Sequence, residues 1–375
     1  MAVLPGSTVG MLGGGQLGRM FVSAARTMGY EVIVLDPDPA SPAGSLANRH
    51  IQAAYDDTNA LDDLAENCQV VTTEFENIPA QTLDYLAHKV AVHPSADALT
   101  IAQNRQLEKA FFNDLGLKTV DWISIENSDQ LKAAENFSFP AILKTATLGY
   151  DGKGQVVCLS FSDLVDAYTA LGDRHCVIEQ RINLAREVSV ILCRSQSGQI
   201  TCFPVAENEH KNGILDTTIA PARITQDQAY QLQSSARKIA NGLNYCGVLA
   251  VEFFISNDSE ILVNEMAPRP HNSGHYTLDG CDTSQFEQQL RMVCGLPAGS
   301  CRQHSAVVMW NILGDIWPDD SEPVWDQLLG MEKAKLHLYG KKEARVGRKM
   351  GHINCIDENL DRALSRLNQV KRLLS

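Results

Sequence analysis

Phe139-Pro-Ala-Ile-Leu-Lys-Thr145, followed closely by Gly149-Tyr-Asp-Gly-Lys-Gly154 and then Gln155 to Leu159, is the stretch on which the fold turns. Ala141 to Thr145 reads as an apolar strand carrying one lysine, Lys144, and Gln155 to Leu159 as a second strand. No helix follows the glycine loop and GxxxxGK[ST] is absent, so this is no P-loop. A glycine-rich hairpin of this kind is a flap that can close backbone amides over a triphosphate, with Lys144 beneath it reaching the phosphates. Taken alone, the same residues also fit a mobile hairpin beside an edge-strand lysine that snorkels to water.

The residues downstream decide between the two. Cys176 to Gln180 is a strand, and Glu179-Gln180-Arg181-Ile182 ends it with polar groups suited to a purine and ribose; Glu187 follows on the next segment. Val248 to Ile255 and Glu260 to Asn264 form a hairpin across Ser256-Asn-Asp-Ser259. Glu252 and Glu265 fall on adjacent strands of that hairpin among apolar neighbours, where an acid is costly to bury unless paired or metal-bound. With Asn264 they supply oxygen ligands for magnesium bridging nucleotide phosphates; the plainer reading is a salt bridge to Arg269 or Lys144. Ala267-Pro-Arg-Pro-His-Asn-Ser-Gly-His275 then stiffens a loop carrying Arg269, His271, Asn272 and His275, donors suited to a small oxyanion. No third soft ligand is spaced for zinc.

Further out, the first hundred residues read as strands alternating with helices, hence a parallel sheet. Gly13-x-Gly15-x-x-Gly18 lies between the strand Ser7 to Leu12 and a helix striped by Leu17, Met20, Phe21, Ala24, Ala25 and Met28. Asp36 ends the next strand. In outline this is a dinucleotide fingerprint, but Thr73-Glu-Phe-Glu-Asn77 ends a strand of the same sheet with two carboxylates that would repel a pyrophosphate. An amine or hydroxyl donor fits better there; Glu74 alone could instead cap the helix that starts near Pro79. Asn104 to Leu115 is a helix bridging into a second unit, Thr225 to Leu243 and Ser284 to Cys294 are further helices, and Pro297 to Gln303 resembles a linker. The expected units are 1–103, 104–296 with a lid near 117–210, and 297–375.

The chain has 375 residues, 44% hydrophobic and 21% charged, which excludes wholesale disorder. Its net charge of −13 repels nucleic acid and anionic membrane, so a polyanionic ligand must meet a local basic cluster. Lys333 to Lys349 is such a cluster, with seven cations against one acid, Glu343. No apolar run approaches the ~18 residues of a membrane span, and the N-terminus lacks a signal peptide's basic region. Ten cysteines without a CxxC pair read as reduced thiols in a cytosol.

Together these motifs resemble the ATP-grasp enzymes, an α/β (α+β overall) class with a Rossmann-like N-terminal domain, a central grasp domain and a small C-terminal domain. The set GGGQLG, EFEN, GYDGKGQ, NEMAPRPHNSGH and GRKMGH, with Asn104-Arg105 and Lys109, resembles the N5-carboxyaminoimidazole ribonucleotide synthetases of purine biosynthesis. The resemblance implies that ATP is held by Arg105, Lys144, Gly149, Tyr150, Asp151, Gly152, Lys153, Gly154, Gln155, Glu179, Gln180, Arg181, Ile182, Glu187, His210, Asn264 and Glu265. It implies two magnesium ions on Glu252 and Glu265, and aminoimidazole ribonucleotide beside Gly15, Gln16, Leu17, Glu76 and Asn272. The ribonucleotide's phosphate would meet Arg348 and Lys341, although Tyr339 to Arg348 is one residue longer than the family pattern, so Lys342 competes with Lys341.

The implied reaction phosphorylates bicarbonate, with Lys144 on the nucleotide, Arg269 and His271 on bicarbonate and Asn272 near the reacting centre. A homodimer in the cytoplasm is also implied. Another ATP-grasp ligase, a nicotinamide-dependent oxidoreductase and a non-catalytic nucleotide sensor are the rival readings.

Overall fold

A computed structural model describes residues 2–149, 154–317 and 321–374. The N-terminal strands form a parallel sheet in the order Arg49–Ile51, Glu31–Leu35, Thr8–Leu12, Val70–Thr73, Ala91–His93. Val9, Met11, Val32, Val34 and Val70 are buried, because helices cover both faces of a parallel sheet. The first helix, Gln16–Thr27, lays Leu17, Phe21, Val22 and Ala25 into this core beside Phe286, Leu290 and Val293 of the helix Gln285–Val293. Connections leave the adjacent strands Thr8–Leu12 and Val70–Thr73 in opposite directions. Their carboxyl ends therefore form a switch point, where open sheets bind ligands.

Two antiparallel sheets complete the molecule. A four-stranded one, ordered Trp122–Ile125, Cys176–Gln180, Ala141–Thr145, Gln155–Cys158, carries the glycine hairpin with Lys144 opposite Gln155. It ends at Gln180. Leu184–Arg194 and Ala206–Lys211, read above within the lid segment, belong to the large sheet. That sheet runs Ile261–Ala267, Gly247–Ser256, Leu184–Arg194, Ala206–Lys211, Ile214–Ala220, Ala306–Leu313, Lys349–Asp357, Ala334–Leu338. The C-terminal strands thus extend the central sheet through the pairing Thr217↔Trp310. The helix Gln226–Gly242, closed by a Thr225/Gln228 capping box, packs Leu232, Ala236 and Ile239 on Val188, Val190, Leu249 and Val251. Each large side chain buried this way contributes about 1.5–3 kcal/mol.

Candidate active site

One cavity of about 1570 Å³ is lined by residues of both antiparallel sheets and of the segments beyond the carboxyl ends of the parallel one. At the N-terminal switch point, Gly14 N–H donates to Asp36 Oδ2 (2.7 Å), and Gly15 and Gly18 N–H donate to Glu74 Oε1 and Oε2 (2.7 and 2.9 Å). A Cβ on Gly15 would stand 2.7 Å from Glu74 Oε1, so glycine is required by the closeness of that carboxylate. The amides a pyrophosphate would use are thus committed to acids of the same sheet, and the dinucleotide reading fails. Glu74 is a cap, but for the helix at Gln16 rather than the one near Pro79. Burial raises its carboxyl, opposed by the two amides. Phe75, Glu76, Gln16 and Leu17 face the cavity, where an amine or hydroxyl can be received.

The end of the cavity beneath the glycine hairpin draws on one short helix, Arg105–Asp114, capped by the Asn104 side chain. Its inward face delivers two cations and one carboxyl, Glu108, which burial and Glu265 push up to about 8. Arg105 Nη1 meets Glu265 Oε2 at 3.0 Å, Glu108 Oε1 accepts from Met266 N–H at 2.7 Å, and Lys109 Nζ lies 3.1 Å from Glu179 Oε1. Lys144 Nζ takes the other Glu179 oxygen at 2.7 Å. Glu179 is 2% exposed; burial pushes its carboxyl up, but Lys144 and Lys109 outweigh that and hold it at about 2. Its charge is neutralised from within, while Gln180, Arg181 and Ile182 line the wall. Opposite them, Glu187 Oε2 and His210 Nδ1 approach to 2.6 Å. Burial lowers the His210 imidazole, but Glu187 prevails and raises it. Gly149, Gly154 and Gln155 begin and end the flap; Tyr150, Asp151, Gly152 and Lys153 lie outside the described residues.

Glu252 and Glu265 face each other directly across the hairpin. Neither pairs with Arg269 or Lys144: Glu265 holds Arg105, and the nearest base to Glu252 is His271 Nε2 at 3.7 Å. Burial and the Glu265 charge raise the Glu252 carboxyl to about 7. Burial also pushes Glu265 up, but Arg105 and Lys144 bring it to about 2. Two facing acids, one ionised and one strained towards neutrality, are relieved by a hard cation. Asn264 Oδ1 beside them is buried without a hydrogen-bond partner. The donor set fits magnesium.

The proline-braced loop behaves differently at its two ends. Arg269 Nε donates to Glu76 Oε2, joining two residues assigned above to different ligands. His271 is pushed to about 3 by burial and then Arg269, so its imidazole is neutral, with Nδ1 against Ser273 Oγ at 2.9 Å. Asn272 is buried, and both its side-chain amide atoms lack partners. His275 does not reach the cavity: it stacks on His352, ring centres 4.6 Å apart. At the far end Lys341, Arg345, Arg348 and Lys349 line the cavity, whereas Lys342 is exposed outside it, which favours Lys341 as the phosphate partner. Lys341 Nζ donates to Gln16 Oε1 at 2.9 Å and so ties the basic hairpin to the glycine loop.

Three family models match the chain in order: a ribonucleotide synthetase preATP-grasp domain at 6–103, an ATP-grasp domain at 110–286, and a phosphoribosylaminoimidazole carboxylase C-terminal domain at 307–366. A Brucella melitensis N5-carboxyaminoimidazole ribonucleotide synthase is 46% identical over 94% of this chain and 97% of its own length. The chain belongs to the N5-carboxyaminoimidazole ribonucleotide synthases. A Bacillus subtilis synthase is 42% identical over 96% of this chain and 94% of its own. A synthetase solved as its ADP complex superposes with a TM-score of 0.93 at 44% identity, covering 99% of this chain and 97% of that one. The Aspergillus clavatus synthase, solved with ADP and 5-aminoimidazole ribonucleotide, gives 0.91 at 31% identity over 98% of each chain.

Within this synthase fold, sequence reasoning left Lys109 without a role and passed over Arg345 and Lys349 as individual residues. Lys109 had a signal, its i+4 spacing from Arg105 on one helix face. The other two are visible in the sequence only as members of a charge run.

Proposed function

We propose that this chain carboxylates the exocyclic amine of 5-aminoimidazole ribonucleotide with ATP and bicarbonate, releasing ADP and phosphate. The observation that carries this reading is the single cavity, with nucleotide-type cations at one end, a basic hairpin at the other and the acid pair and Arg269 loop between them. Arg105 and Lys144 hold the nucleotide phosphates, the 149–155 flap closes over them, and Gln180, Arg181, Ile182, Glu187 and His210 hold the nucleoside. Glu252, Glu265 and Asn264 would hold two magnesium ions, which when bound neutralise charge on the phosphates.

Arg269 holds bicarbonate, and in doing so exchanges or shares its Glu76 partner. A bicarbonate oxygen attacks the γ-phosphorus, the bond to the bridging oxygen breaks, and ADP leaves carboxyphosphate behind. The amine of the ribonucleotide, held near Glu76 and Asn272, then takes the carboxyl carbon as phosphate departs. Lys341 and Arg348 grip the 5′-phosphate, and neutral His271 adds hydrogen bonding without competing charge. Carboxyphosphate is labile, so the flap's exclusion of water serves the second step. No protein nucleophile takes part.

Family membership also supports domains at 1–103, 104–296 and 297–375, the lid narrowed to the four-stranded sheet that ends at Gln180, and a cytoplasmic homodimer; no helix among the described residues is long and apolar enough to cross a membrane. The test is ADP release measured with each substrate omitted in turn. Release that requires both ribonucleotide and bicarbonate supports the reading, and release indifferent to bicarbonate overturns it.

A further inference from the structure

Lys109 is fully buried, and nothing in the chemistry above uses it. Its ammonium lies 3.1 Å from Glu179 Oε1, yet neither Lys109 Nζ nor Glu179 Oε1 has a hydrogen-bond partner. The contact is therefore one of charge rather than of directed bonding. Burying an ammonium is expensive, and a hydrophobic side chain of similar length is commonly tolerated as well or better in such a place. Packing alone does not account for a lysine here.

The charges beside it do. Glu179 is shared by two ammoniums, Lys109 at one oxygen and Lys144 at the other, and is itself buried at the edge of the cavity. Burial and the nearby Lys144 pull the Lys109 amine down, and Glu179 opposes both. Burial and Glu265 push the neighbouring Glu108 carboxyl up to about 8, so it adds little charge, and Arg105 is paired with Glu265; two cations against one anion therefore leave the Lys109–Glu179–Lys144 cluster with a surplus of one positive charge. Only Lys144 of the two ammoniums lines the cavity. Were Glu179 balanced by Lys144 alone, that pair would be neutral towards a phosphate.

We propose that Lys109 is a positioning residue for phosphoryl transfer: its charge cancels that of Glu179, so that Lys144 stays aimed by Glu179 yet presents a full positive charge to the nucleotide. The inference rests on the proposed role of Lys144 in holding ATP. Lys109 touches no substrate and acts through Glu179.

The test measures ATP affinity and the KM for each substrate in the full-length enzyme. Lys109→Met should weaken ATP at least tenfold and leave the KM for the ribonucleotide unchanged, with a wild-type circular dichroism spectrum. Adding Glu179→Gln removes the anion that Lys109 compensates while leaving an amide oxygen for Lys144, and should recover at least threefold of the ATP affinity that the single variant loses, short of the wild-type value. A purely structural lysine predicts the opposite, a double variant no better than the single one, and that result would overturn the proposal. So would a Lys109→Met enzyme that binds ATP like wild type. If the single variant does not fold, the comparison of the double variant with Glu179→Gln alone decides: equal ATP affinity supports the proposal, because Lys109 then has no anion left to cancel, and a further tenfold loss refutes it. Lys144→Met serves as the control. If it leaves ATP affinity intact, the assignment of Lys144 has failed, independently of Lys109.

Discussion

Replacing Glu252 by glutamine should make the metal-free protein more stable while abolishing its activity. Glu252 sits between buried Val251 and Phe253 and opposite ionised Glu265, and its carboxyl is raised from 4.5 to about 7. Its side chain is 14% exposed, so solvent screening relieves little of this. At ~1.4 kcal/mol per pKa unit, that difference is about 3 kcal/mol. The sign follows from linkage. The folded state binds this proton more tightly than the unfolded state, so the stability it contributes is complete below pH 4.5 and is lost as pH rises through about 7. In EDTA at pH 8, Glu252→Gln should therefore unfold at a higher temperature than wild type, and the gap should shrink towards pH 5. Glu265→Gln should do the reverse, because it strips Arg105 of its partner. Thermal melts of the three proteins at the two pH values read this out, alongside ADP formation, which both substitutions should abolish. A Glu252→Gln protein less stable than wild type at pH 8 would mean that the acid is already paired within the protein, and the metal assignment would fall.

Five further substitutions probe the remainder of the cavity. Lys341→Ala and Arg348→Ala should raise the KM for the ribonucleotide and leave ATP affinity alone, because a remote phosphate supplies mainly uniform binding; Lys342→Ala should change neither, and a Lys342 effect as large as that of Lys341 would reverse the assignment. Arg269→Ala should weaken bicarbonate by the ~1.5–3 kcal/mol of a charge-assisted hydrogen bond, read as a ten- to hundredfold rise in its KM, and an unchanged KM would move the bicarbonate site elsewhere. Glu74→Ala leaves two amides unsatisfied and should lower stability by about 2 kcal/mol or more without creating affinity for NADH, as checked by melting and fluorescence titration.

Local patterns were legible in the sequence, and long-range partners were not. The apolar stripe from Leu17 to Met28, the lysine-bearing strand with its glycine hairpin, and the acid-bearing strands around Glu252 and Glu265 follow from period and turn chemistry within a few residues. The cap on the glycine loop comes from Glu74, 56 residues away from Gly18, and no local rule connects the two. The same is true of Arg269 with Glu76 across 193 positions, which places two expected ligands in contact with each other. His275 shares a loop with His271, yet its ring turns towards His352, because a stiff loop fixes position and leaves each side chain to its own packing. Ala306–Leu313 is an apolar run broken only by Asn311, and nothing in such a run reveals that Trp310 will pair with Thr217 of the central sheet.

The most direct test of the whole account is the fate of bicarbonate oxygen. Wild-type enzyme turning over ATP and the ribonucleotide with ¹⁸O-labelled bicarbonate should release phosphate carrying one ¹⁸O per turnover, because a bicarbonate oxygen becomes bonded to the γ-phosphorus and leaves with it. Unlabelled phosphate formed at the full rate would contradict the account, since some other nucleophile would then have taken the phosphoryl group.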